Sequence, residues 1–118
     1  MNNEIVVSVF DIVGGPLCVS AADGQTLYEK IAPLLREGRK VALSFAKVEI
    51  TISAFLNAAV GQLYGEFSEE EIRQLLVVRD MKQIDLVLLK RVVENAKAYF
   101  RDPDRFKRVV KEVLGDEE

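Results

Sequence analysis

The sequence predicts an α/β fold, a small mixed four-stranded sheet in the order β-β-α-β-α-β-α-α with helices packed on it. Short runs of β-branched and aromatic residues (EIVVSVF, KVALSFAKVEI, LLVVR) alternate with longer stretches of helical apolar spacing. Such alternation places helices on a sheet, and right-handed crossovers make the later strand pairs parallel. A chain of 118 residues, 49% hydrophobic and 30% charged, is long and apolar enough to fold rather than stay disordered. A domain of that size buries about two thirds of its unfolded surface, so neither disulfide nor metal is needed to close a core. The expectation is a single domain over 1–118, with a core at about 4–101 and a C-terminal amphipathic helix at about 103–114.

The first strand is EIVVSVF (4–10), and VGGP (13–16) breaks it, because paired glycines and a proline mark a turn. LCVS (17–20) follows as a short second strand. Ser20 and Asp23 approximate a capping box for the helix DGQTLYEKIAPLLREG, whose Leu27, Ile31, Leu34 and Leu35 share a face. Gly38 ends this helix, and Pro33 is expected to bend or shorten it. KVALSFAKVEI (40–50) begins as a buried strand and leads to a helix starting near Ser53. Ser68 with Glu71 is a capping box for a short helix at 69–74, followed by the strand LLVVR (75–79). A long helix at about 82–101 is apolar around much of its circumference. Asp102 caps, and Pro103 opens, a last helix with Phe106, Val109, Val110, Val113 and Leu114 at amphipathic spacing.

Composition narrows the function. A net charge of −3 argues against a sequence-independent nucleic-acid binder, which needs positive charge against phosphates. The basic residues Arg101, Arg105, Lys107, Arg108 and Lys111 are interleaved with acids and read as a solvated face. Cys18 is the only cysteine and there is no histidine to activate it, so it reads as a small buried hydrophobe. Gly14-Gly15 opens no phosphate loop, no carboxylate spacing matches a metal site, and no cofactor or catalytic residue is expected. Glu49, Asp80 and Asp85 near strand ends are the nearest approach to an acidic constellation. The start MNNEIVVSVF has no basic region and too short an apolar run for a signal peptide or membrane span, which leaves a soluble cytoplasmic protein as the expectation.

Three pieces of sequence carry a resemblance: the Gly14-Gly15 turn, DGQTLYEKIAPLLREGRKVALSF (23–45) and ISAFLNAAVGQL (52–63). Together they resemble a bacterial STAS-like domain family of unknown function, over most of residues 5 to 80. The positions matching its serine-rich helix start are Ser53, Ala54, Phe55, Leu56, Ala59, Gly61 and Leu63. Pro16, Asn57 and Ala58 stand where that pattern carries an arginine and two acids. The resemblance implies a small non-catalytic regulatory domain like anti-sigma factor antagonists. Those bind a serine kinase or ATPase and are released by phosphorylation of a serine at a helix start, the chain position of Ser53.

Ser53 has two readings. As an N-cap it accepts a backbone N–H, a bond whose loss typically costs ~1 kcal/mol, with Thr51 as a competing cap. As a phosphorylation site it would add about −1.5 to −2 charge at neutral pH. Ala54, Ala58, Gly61 and Gly65 form a small-residue stripe which, with Asn57, is the candidate interaction surface, unless the stripe packs inside the domain. The expected partner is a protein, with a homodimer through the long helix as an option and neither nucleic acid nor membrane involved. The rival class is a small enzyme or ligand-binding domain with a pocket at the strand ends.

Overall fold

The computed structural model describes residues 4–101. The predicted terminal helix at 103–114 therefore lies outside the described residues. Strand β1 (Ile5–Ser8) runs into a short helix α1 (Val9–Val13), then β2 (Leu17–Cys18) and the long helix α2 (Ala21–Arg36). Next come β3 (Val41–Ser44), β4 (Ile50–Thr51) and α3 (Ser53–Ala59), which continues as a 3₁₀ turn, Gly61–Gly65. Helix α4 (Glu69–Leu75), strand β5 (Leu76–Arg79) and helix α5 (Gln83–Arg101) complete the described fold.

The sheet differs from the expected mixed four strands. Among the described residues, β1, β3 and β5 form one three-stranded sheet with β3 central, and β2 and β4 form a separate two-stranded one. All pairs are parallel: Ile5 aligns with Val41, Val41 with Leu76, and Leu17 with Ile50. The run 40–50 supplies two strands rather than one, because Lys47 takes a left-handed φ of 71° and turns the chain between them. Every strand pair among the described residues is joined by a crossover rather than a hairpin, so these sheets are parallel rather than mixed.

The predicted strand 4–10 also ends early. The Ser8 hydroxyl accepts the Asp11 N–H at 3.1 Å and so caps α1. Gly14, at φ 90°, closes that helix by donating its N–H to the Phe10 carbonyl. Elsewhere the cap signals hold: Ser20 accepts the Asp23 N–H at 3.0 Å, and Ser68 and Glu71 form a complete capping box. Pro33 sits within α2 without ending it, and the helix stops at a turn where Gly38 has φ 76°.

One core joins these parts. Val7, Val41 and Leu43 of the main sheet meet Leu27, Ile31 and Leu35 of α2 and Phe55, Leu56 and Ala59 of α3, all buried. Val92 of α5 and Ile72 of α4 extend it. Helix α3 is thus held between α2 and α5. Among the described residues, no helix is long and apolar enough to cross a membrane.

Candidate functional site

The site is built around α3. Its first residue is Ser53, and the cap position belongs to Ile52, whose side chain has nothing to offer the free N–H groups. The N-cap reading of Ser53 is therefore corrected, and Thr51 does not cap the helix either. The exposed Ser53 hydroxyl makes no hydrogen bond with the described residues, and the first turn of α3 carries no acidic side chain. Thr51 points inward; its hydroxyl is buried without a partner among the described residues.

The chain leading into Ser53 creates an apolar surface. Strands β2 and β4 alternate, so Cys18 and Thr51 face the core while Leu17, Val19, Ile50 and Ile52 face solvent. Leu17 and Ile50 are cross-strand neighbours and about half exposed, at 47% and 50%. Four aliphatic side chains thus stand in the open directly before the serine. Lys82, just ahead of α5, ties this end down by donating to the Glu49 carbonyl at 2.6 Å. The run LCVS was expected as a short strand, but Ile50 was expected at the end of the strand 40–50 and Thr51 and Ile52 in no strand, so the pairing of β2 with β4 was not anticipated.

The small-residue stripe does not form one surface. Ala54 and Asn57 are exposed. Ala58 packs on α2, where Gly24 comes so close that a Cβ there would lie 2.9 Å from the Ala58 Cβ. Gly61 is buried and faces α5: a Cβ on it would sit 3.7 Å from Val92 and 3.8 Å from Ala96. Gly65 lies under the ring of Phe100, within 2.7 Å of a built Cβ. The close-approach glycine of this fold is Gly24, whose place one turn into a helix pattern gave no hint of a neighbour.

Between α3 and α5 runs an open cleft of about 450 Å³. It is lined by Asn57, Gly61, Gln62, Asn95, Ala96, Tyr99 and Phe100. Those two rings meet edge to face, with centroids 4.8 Å apart. Sequence reading found Asn57 and Gly61 but not Asn95, Tyr99 or Phe100, which join them only when α5 folds across α3. A second cavity of about 250 Å³ lies between α4, β5 and α5, with apolar walls and the Lys97–Glu69 pair at its rim. Lys97 donates to Glu69 at 2.9 Å, and that hydrogen bond holds the Glu69 carboxyl below its usual range.

The remaining candidates stay separate. The Ser44 hydroxyl donates to Asp80 at 3.1 Å at the carboxyl end of the main sheet. Among the described residues no group of three acids, cysteines or histidines could hold a metal ion, so Glu49, Asp80 and Asp85 do not make one. Cys18 is fully buried and burial pushes its thiol up to about 11, so it is protonated at neutral pH.

Two comparisons return nothing: no curated protein and no solved structure matches the chain. The sequence model of a family described as a STAS-like domain of unknown function matches residues 23–86, more than half of the chain. The matched span begins beside Gly24 and takes in α3 with Ser53 and the first turn of α5.

Proposed function

Because the chain belongs to the family of STAS-like domains of unknown function, we propose that it is a non-catalytic interaction domain whose partner docks beside Ser53. The partner class is a serine kinase or ATPase, and phosphorylation of Ser53 is the switch. The observation that supports this reading is the pairing of an exposed, unbonded hydroxyl with the aliphatic face of Leu17, Val19, Ile50 and Ile52. Apolar side chains grouped on a surface favour association with another protein. A phosphoryl group on the adjacent residue would place about −1.5 to −2 charge against that contact and weaken it. No acid in the first turn of α3 opposes the added charge, so the fold tolerates it.

The test is capture from native cells with wild type, Ser53→Asp and Ile50→Lys side by side, with intact-mass measurement of the endogenous chain. The reading expects a kinase or ATPase bound by wild type and lost with both variants, and a phosphorylated fraction carrying the group on Ser53. A partner retained by Ser53→Asp, or a chain never phosphorylated under any growth condition, overturns the switch.

A small enzyme or ligand-binding domain is the second reading. It is favoured by the Ser44–Asp80 contact at the strand ends, where Lys47 and Asp80 both adopt positive φ. Such backbone is sparsely populated and gathers at functional sites.

A further inference from the structure

We draw no further inference here: the strongest candidate, the outward face of the three-stranded sheet, where exposed Val6 and Val77 flank Ala42 and the Glu4–Arg79 ion pair links the two edges, is an apolar face unpartnered among the described residues, and nothing in the structure shows what covers it.

Discussion

Gly24 of α2 lies against the backbone of α3 opposite Phe55, whose carbonyl oxygen is the nearest atom to where a Cβ would stand. The Ala58 Cβ follows at 2.9 Å and the Ala59 nitrogen at 3.2 Å, and neither main chain nor an alanine Cβ can swing aside. Helix α3, with Ser53 at its start, is positioned by this contact.

Gly24→Ala should therefore destabilise the fold by about 1–3 kcal/mol, the range for forcing extra volume into a packed contact. The expected result is a lower urea midpoint with an unchanged slope. Gly61→Ala is the control: its Cβ would meet Asn57, Val92 and Ala96 at 3.5 to 3.8 Å, ordinary contact, so stability should hold or rise. Equal losses in both variants would place the tight helix crossing elsewhere.

The serines that begin helices should separate into two kinds. Ser68 accepts the Glu71 N–H at 3.1 Å, and Ser68→Ala should cost about 1 kcal/mol. Ser53 caps nothing, and Ser53→Ala should change stability by less than about 0.5 kcal/mol. Thermal and urea melting of the two variants, compared with wild type, decides this. A Ser53→Ala loss as large as that of Ser68→Ala would restore Ser53 to a capping role.

Acid should weaken the fold from one direction. The Glu66 carboxyl is held below its ordinary value of 4.5 first by the hydrogen bond from Arg36 and then by that from Tyr28. Glu69 is lowered first by the hydrogen bond from Lys97. The unfolded chain therefore binds protons at these sites before the folded chain does. Their stabilisation is present above about pH 4.5 and is lost as pH falls through the lower folded values. Urea midpoints between pH 7 and pH 3 should decline at the acid end. The double variant Glu66→Gln with Glu69→Gln should show a shallower decline; an unaltered profile would assign the acid sensitivity to other carboxylates.

The parts of the fold that depend on near neighbours were legible. Ser20, Ser68 and Glu71 announce helix starts because a cap bond reaches only three residues. Ser8 and Gly14 were equally informative, yet the β-branched run around them masked a helix of five residues. The split of 40–50 rests on Lys47 taking a left-handed φ that glycine or asparagine would have advertised. The site was legible in half. Asn57 and Gly61 stood out on one helix, but Asn95, Tyr99 and Phe100 are remote in sequence and join them through tertiary packing alone. The inward and outward halves of the small-residue stripe were likewise decided by α2 and α5 rather than by α3 itself.

The strand pairing has a kinetic consequence. Ile5 finds its partner only when Val41 exists, and Val41 gains its second neighbour only at Leu76. No pair in either described sheet closes through a tight turn, so each carries the loop-closure entropy of a long intervening segment. The β1–β3 pair can form once residue 44 has emerged, and the packing of α2 on α3 through Gly24 once residue 59 has, both before β5 is made. Until β5 leaves the ribosome, β3 has an open edge, and the nascent chain is then most exposed to pairing with the wrong strand.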